Sequence, residues 1–339
     1  MRFSHGSPGN SEFYISVFML GLTSIVVQII LLREFLSFFY GNELVLGLIL
    51  ANWMFLTGLG AYLGRNAEHR IHSLSTVLHF LALLALLPLI LVFLMYYLRN
   101  IVFAPGSMMN LLEIYLGSLV ILLPFCITSG LTFTFISELT SRHHQKNLIG
   151  KVYSLESLGS LMGGVAFNLV LIWFLKTFEA LALLAVVNLL VLIWLAWRQS
   201  STLIMVYASV LLAGVVALNV FTNPDLLARQ FLYQGHEVEY FKSSPYGNVV
   251  VTRQEGQVNF YENQVLLFSS QQPTMNEESV HYPMLQHSNA RNVLLLSGGT
   301  PGVIREILKY PVERIDYVEI NPWLLHAVRK YSGIYDDSR

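Results

Sequence analysis

Seven long apolar segments in the first two thirds of the chain limit the folds that it can adopt. Each is close to the length, about 20 residues, at which an α-helix crosses the hydrocarbon core of a bilayer. Because lipid cannot hydrogen-bond a peptide group, such segments must be helical. We therefore predict a multi-span α-helical membrane bundle of about seven helices over residues 1–221. The segments are residues 13–32, 44–64, 74–98, 114–137, 153–175, 179–197 and 202–221.

The charged residues are concentrated in the rest of the chain. Only 12% of all residues are charged, against about 25% in an average soluble domain. Residues 222–339 nevertheless carry 23 of the 41 charges, which predicts a water-soluble tail. The net charge of −1 without a basic cluster argues against nucleic-acid binding. The single cysteine, Cys126, excludes an intrachain disulfide and a cysteine-based metal site, and we expect no metal.

Small residues indicate where the helices pack. Gly60 and Gly64 lie four positions apart in the second segment, as do Gly159 and Gly163 in the fifth. This spacing lets two helix backbones approach closely.

Polar residues at membrane depth are more often structural, but each is also a candidate functional group. Among them Glu156 is singled out, because it lies beside both glycines of the fifth segment and can line a polar cavity or pair with Arg33. The others are Gln28, Glu34, Glu43, Asn52, His79, Glu113, Glu138 and Asn168.

The distribution of basic residues gives conflicting evidence on orientation. With seven spans, the loops on the side of the N-terminus carry seven Lys or Arg residues and the opposite loops carry three. The positive-inside rule then places the soluble tail outside the cytoplasm. The chemistry of the tail favours the cytoplasm instead. We predict a multi-pass protein of the cell inner membrane with a cytoplasmic tail, and one miscounted span would reconcile the two arguments.

The tail begins with a predicted β domain over residues 222–290. Predicted strands at residues 236–241, which alternates loosely, and at 249–253, 258–261 and 265–268 are separated by short turn sequences. Turns rich in Pro, Gly and Asn between short β-branched stretches are typical of an antiparallel meander.

Residues 291–339 have the pattern that opens a Rossmann-like nucleotide-binding domain. A predicted strand at 292–296 is a continuous apolar run after Asn292, as in a strand buried on both faces. A Gly-rich loop, a helix at 303–309, a strand at 314–320 and a helix at 322–331 follow. Glu319 lies at the end of the second strand, 20 residues after Gly299. A carboxylate at this place can accept two hydrogen bonds from a ribose, while the glycines let the ligand approach the backbone.

The tail resembles the spermidine synthase (polyamine aminopropyltransferase) family over about residues 230–335. The membrane part, with Gln28, Arg33, residues 41–43 and 58–64, is similar to the bacterial subgroup in which the synthase domain is fused to transmembrane helices. The matching stretches of the tail are residues 244–253, 260–263, 267–269, 277–282, 293–302, 305–313 and 316–322.

The resemblance implies transfer of an aminopropyl group from decarboxylated S-adenosylmethionine, the expected cosubstrate, to putrescine or another amine. Gly298, Gly299, Thr300, Gly302 and Glu319 would hold the nucleoside part of the cosubstrate. His281 and Tyr282, in the segment that reads Tyr-His-Glu in typical members, would contact the amine. The expected partners are thus the lipid bilayer and a small amine, with a homodimer as one assembly.

Three features depart from the family pattern. The segment that is Tyr-His-Glu in typical members reads Val280-His281-Tyr282 here and keeps only the His. Ser297 and Thr300 replace a Gly and the Asp of the typical Gly-Gly-Gly-Asp-Gly loop. The catalytic Asp segment of the family has no counterpart up to Arg339, so we expect a fragment of a longer protein with its catalytic residues beyond Arg339. A two-stranded parallel unit would also leave an apolar face uncovered.

Two other functions fit parts of the sequence. The acids near the spans and the altered loop also suit an amine transporter or sensor whose tail binds a nucleoside without catalysis. An S-adenosylmethionine-dependent methyltransferase shares the opening of the fold, but the meander and residues 305–312 argue against it.

Overall fold

A computed structural model describes residues 10–39, 43–67, 73–102, 109–270, 272–287, 289–298 and 301–332. The chain divides into two compact units, Met1–Ala228 and Arg229–Arg339. The first is helical and the second contains both sheets.

The helical unit confirms the seven predicted segments. Within the described residues, seven helices are long and apolar enough to cross a membrane, by length and composition alone. The fifth of them is interrupted by one π-helical turn, Phe167–Leu171. The helices are α1 (Asn10–Phe38), α2 (Glu43–Ala67), α3 (Leu74–Val102), α4 (Leu111–His144), α5 (Ile149–Ala166) continued by α6 (Ile172–Phe174), α7 (Thr177–Arg198) and α8 (Thr202–Phe221).

Large apolar side chains cover the outside of this unit. Only 17% of the most apolar stretch of α8 is buried, and its residues Leu203 and Phe221 are 74% and 84% exposed. Soluble monomers rarely expose contiguous apolar surface of this extent. The surface suits hydrocarbon surroundings, in which apolar side chains have no tendency to be buried.

The predicted glycine contacts are confirmed. A Cβ atom added to Gly159 would overlap the carbonyl oxygen of Phe18 in α1, and one added to Gly163 would lie 2.7 Å from Ile25 Cγ2. Between α2 and α4, a Cβ added to Gly64 would lie 2.9 Å from the Cβ of Thr134. These distances are too short for a side chain, so helix pairs α1–α5 and α2–α4 depend on glycine to approach.

Several of the polar candidates join helices to one another. The Asn52 amide of α2 donates to Ser118 Oγ of α4 at 2.9 Å. Glu34 of α1, which is buried, accepts hydrogen bonds from the Tyr96 hydroxyl of α3 and from Thr177 Oγ1 of α7. Such bonds satisfy polar groups that would otherwise be costly to bury. The structure therefore gives Asn52 and Glu34 a structural role.

The second unit begins within helix α9 (Pro224–Leu232), which the sequence analysis did not predict. The predicted meander follows as an antiparallel sheet in the order β1-β2-β3-β4. Its strands are β1 (Glu237–Ser244), β2 (Gly247–Gln254), β3 (Gln257–Glu262) and β4 (Val265–Ser269).

The Rossmann-like elements are also present, with one additional helix. They are β5 (Asn292–Leu296), α11 (Pro301–Ile307), β6 (Arg314–Val318) and α12 (Pro322–Tyr331), and the unpredicted helix α10 (Pro273–Gln286) precedes them. The apolar face of α12 packs on the meander and not on β5 and β6. The core between α12 and the meander consists of Val249, Val251, Val258, Phe260, Phe268, Leu324, Ala327 and Val328.

The prediction that the first parallel strand is buried on both faces is wrong for the described residues. One face of the β5–β6 sheet, including Leu295 and Ile315, packs on α10 and α11. On the other face Leu294, Leu296 and Val318 are 62%, 68% and 51% exposed. The reason is that no described helix covers that face, as expected for a two-stranded unit.

Candidate functional site

The ends of two parallel strands bring the predicted nucleoside-binding residues together. In the register of β5 and β6, Leu296 pairs with Val318. The Ser297 amide then donates to the Val318 carbonyl oxygen at 2.9 Å. The chain leaves both strands at the same edge, so the bend after β5 and Glu319 after β6 are neighbours. In open α/β sheets this edge is where ligands bind.

The backbone turns sharply at the bend. Ser297 has φ 56° and Gly298 has φ 64°, both in the left-handed region. Glycine adopts this region freely, whereas an L-residue such as Ser297 is strained there by about 1–2 kcal/mol. The next two predicted site residues, Gly299 and Thr300, lie outside the described residues. Helix α11 begins at Pro301, three positions after Gly298.

The Glu319 carboxylate is oriented towards the bend. Ser297 Oγ donates to its Oε2 at 3.1 Å, and the Tyr317 hydroxyl donates to the same oxygen at 2.9 Å. The backbone amide of Asn321 donates to Oε1 at 3.2 Å. A carboxylate offers about four lone-pair positions, so one on Oε1 is left for a ligand. Displacement of the Ser297 hydroxyl would provide a second acceptor for a ribose diol.

Asn321 and Glu262 support this arrangement, and neither was predicted from the sequence as a site residue. Asn321 is buried and caps α12, because its Oδ1 accepts from the Trp323 amide at 3.1 Å. Its Nδ2 donates to Oε1 of Glu262, at the end of β3, at 2.6 Å. The Asn-Pro pair at the start of a predicted helix was a usable signal for the cap, but the partner on a distant strand had none.

Gly302 lies against Asn276, which was also not predicted from the sequence as a site residue. A Cβ atom added there would overlap the side-chain amide of Asn276 in α10. The first turn of α11 is therefore in close contact with α10. Gly302 is needed for this packing, in addition to its predicted contact with a ligand.

His281 and Tyr282 are not joined to the bend. His281 Nδ1 lies 2.6 Å from the Tyr310 hydroxyl, and its Nε2 lies 3.3 Å from Glu306 Oε2. Tyr282 is 69% exposed. Within the described part of the chain, neither residue hydrogen-bonds to Glu319. Their proposed contact with an amine stays a prediction.

Comparisons with known proteins identify the relatives of this chain. Residues 273–336 match the model of the spermine/spermidine synthase domain, a stretch that contains the bend and Glu319. The polyamine aminopropyltransferase of Leptospira interrogans is 26% identical over 322 residues. The second unit is therefore similar to the spermidine synthase family, with the match to the domain confined to residues 273–336. The Leptospira match covers 92% of the chain, so that similarity extends into the helical unit.

Other curated relatives cover less of the chain. Polyamine aminopropyltransferase 2 of Ralstonia nicotianae is 29% identical over 57% of the chain, and polyamine aminopropyltransferase of Agathobacter rectalis is 32% identical over 34% of it. The aligned part amounts to 62% of the Leptospira relative, 40% of the Ralstonia relative and 37% of the Agathobacter relative. No solved structure matches the chain significantly.

Proposed function

We propose that this chain belongs to a membrane-bound aminopropyltransferase that uses decarboxylated S-adenosylmethionine as the donor and putrescine or another small amine as the acceptor. The observation that supports this proposal most is the Glu319 carboxylate beside the left-handed bend at the ends of β5 and β6. The names of the relatives agree with this activity.

The site residues have defined tasks in this reaction. Glu319 accepts hydrogen bonds from the ribose hydroxyls, and the backbone at Gly298 and Gly302, with Gly299 and Thr300, surrounds the rest of the nucleoside. Binding fixes the sulfonium group relative to the amine, which converts an encounter in solution into a reaction between positioned groups.

The chemistry is a substitution at carbon. The amine nitrogen attacks the carbon of the aminopropyl group that is bonded to sulfur. A C–N bond forms there while the C–S bond to the same carbon breaks. The bonding electron pair goes to sulfur, methylthioadenosine leaves, and the new ammonium group loses one proton to a base. No described residue is assigned as that base.

The helical unit would hold the synthase domain at the cell inner membrane. Seven helices of sufficient length and an apolar outer surface support this location. We place the soluble tail on the cytoplasmic side, because its proposed substrates are soluble metabolites, although the distribution of basic residues favours the other side.

Nucleoside binding tests the proposal directly. The purified chain in detergent should bind methylthioadenosine, measured by calorimetry, and Glu319→Gln should weaken binding at least about tenfold, since two charge-assisted hydrogen bonds of about 1.5–3 kcal/mol each become weaker. Glu313→Gln is the matched control, because Glu313 lies at the opposite end of β6, where it is exposed and paired with Arg291 at 2.8 Å. Absence of binding by the unmodified chain, or equal binding by the Glu319→Gln variant, would overturn the proposal.

A further inference from the structure

A cavity lies between four helices of the first unit. It has a volume of about 280 Å³ and is lined by residues of α1, α2, α4 and α5. Glu156 of α5 contributes the one carboxylate among its lining residues. Glu156 is seven positions into the helix that starts at Ile149, or about 10 Å along its axis, which is inside the membrane-spanning stretch.

Among the residues that the structure describes, the Glu156 carboxylate has one weak partner, Ser160. Ser160 Oγ lies 3.3 Å from Glu156 Oε1 but 3.1 Å from the carbonyl oxygen of Gly21. A hydroxyl has a single proton, so these two acceptors compete for it. Within the described ranges, no Lys, Arg or His forms an ion pair with Glu156. The pairing with Arg33 that the sequence left open is therefore not observed, and the guanidinium of Arg33 lies 6.0 Å from the centre of the Phe167 ring.

The remaining lining suits an organic cation. Trp53, Phe133 and Tyr153 bring aromatic rings from three helices to the cavity, and aromatic faces attract ammonium groups. Gln28 adds an amide oxygen. A primary ammonium group offers three donors and no acceptor, so it matches a carboxylate and a carbonyl oxygen. A hard metal ion is held mainly by carboxylate and carbonyl oxygens, whereas Glu156 is the single carboxylate of this lining and its other polar side chains are mostly hydroxyls. Among the described residues no group of three or more His, Cys, Asp or Glu is placed to hold a metal.

We propose that this cavity is a binding site for a small primary amine in its ammonium form, with Glu156 as the counter-ion. Its volume is near the lower limit of ligand pockets, about 300 Å³, which suits an amine of a few carbon atoms. The site lies in the helical unit and does not depend on the nucleoside site of the second unit. It would let the membrane helices sense or carry the class of molecule that the proposed enzyme consumes.

Equilibrium binding of radiolabelled putrescine to the full chain in dodecyl maltoside micelles tests the site. Glu156→Gln keeps the shape of the side chain and removes its charge, so we expect at least tenfold weaker binding. Ser24→Leu leaves the carboxylate intact and fills part of the cavity, which Ser24 also lines, and it should reduce binding similarly. Two controls should bind as the unmodified chain does. Glu138→Gln removes a carboxylate that is paired with Arg142 outside the cavity, and Glu313→Gln removes an exposed carboxylate of the second unit that is paired with Arg291.

Competition experiments with the unmodified chain need no variant. Butylamine should displace labelled putrescine, whereas 1-butanol and potassium chloride at the same concentration should not. The proposal is overturned if putrescine does not bind, if Glu156→Gln binds it as well as the unmodified chain, or if the alcohol or the potassium salt competes as well as butylamine. Loss of putrescine binding in Glu319→Gln alone would place the amine in the second unit instead.

Discussion

Ser297 Oγ donates a hydrogen bond of 3.1 Å to Glu319 Oε2, although 22 positions separate the two residues in the chain. The bond exists because parallel strands β5 and β6 end at the same edge of their sheet. It shows that the acid faces the bend, which is the geometry that a nucleoside site requires. It also means that Ser297 occupies an acceptor position that a ribose hydroxyl would use.

Two donors to the same carboxylate oxygen should therefore differ in their effect on ligand binding. Tyr317→Phe removes a hydrogen bond that orients Glu319, so we expect methylthioadenosine to bind about two- to tenfold more weakly, the equivalent of about 0.5–1.5 kcal/mol. Ser297→Ala removes a donor that the ligand displaces, so binding should not weaken. Calorimetric titration of both variants checks this contrast. Weaker binding by Ser297→Ala alone would show that the hydroxyl remains bonded to Glu319 in the complex.

Asn321 performs two tasks that separate variants can distinguish. Asn321→Ser keeps a side-chain oxygen that can cap α12 but loses the bond to Glu262. Asn321→Ala loses both, and removal of a cap costs about 1 kcal/mol. We expect both variants to melt at lower temperature than the unmodified chain, with Asn321→Ala the lower of the two. Differential scanning calorimetry measures the two melting temperatures. Equal values would show that the cap of α12 does not contribute to stability.

The close packing of α1 and α5 predicts a position-specific effect of a larger side chain. Gly159→Val would force the helices apart, because its Cβ overlaps the backbone of Phe18. We expect a loss of stability of about 1–3 kcal/mol, as in other overpacked interiors. Gly164→Val is the control, since a Cβ at Gly164 meets only Ile25 Cγ1, at an ordinary 3.9 Å. Thermal unfolding in detergent compares them, and equal stability of the two variants would contradict the packing argument.

The sequence predicted the helical unit well because the physical constraint is strong. A peptide group inside a bilayer must be hydrogen-bonded within its own helix, so each long apolar stretch has one solution. Helix α10 was missed because that constraint is absent. It is mostly polar, contains Pro273 and Pro283, and buries only Val280 and Met284. With so few apolar positions, it has no stripe from which a helix can be predicted.

Only the part of the candidate site that lies at the ends of two consecutive parallel strands could be predicted from the sequence. Strand order and spacing predict that Glu319 and the glycine loop lie at the same edge, and the structure joins Glu319 to Ser297, the residue before Gly298. The bond between Asn321 and Glu262 joins residues 59 positions apart, one at the start of α12 and one at the end of β3, and no local pattern predicts it. The cavity at Glu156 likewise forms from four helices, and the sequence indicated only that Glu156 was worth considering.

Tyr240 should make the second unit sensitive to alkaline pH. Burial raises the pKa of Tyr240 above its ordinary value of 10.0, and the neighbouring Tyr331 raises it further. The neutral phenol is therefore favoured in the folded state, and its contribution to stability is fully present below pH 10 and is lost as the pH rises through the folded-state pKa. Tyr240→Phe should remove this part of the loss of stability at alkaline pH. Thermal unfolding of both proteins at increasing pH measures the difference.

A spectroscopic titration separates Tyr240 from the other tyrosines. Tyrosinate absorbance of the unmodified chain should contain a late-titrating component that Tyr240→Phe lacks. The prediction is wrong if Tyr240→Phe leaves the high-pH end of the titration curve as it is in the unmodified chain.

The orientation of the soluble tail connects the helix count with the proposed chemistry. If all seven helices cross the membrane, the residues before α1 and the tail lie on opposite sides. A cytoplasmic tail, which the proposed substrates require, then places the N-terminus outside, against the excess of basic residues in the loops on that side. We expect a green fluorescent protein fused after Ser332 to be fluorescent and alkaline phosphatase fused there to be inactive. The reverse result would place the tail outside the cytoplasm, where the proposed donor is not made, and the enzymatic proposal would then need another substrate.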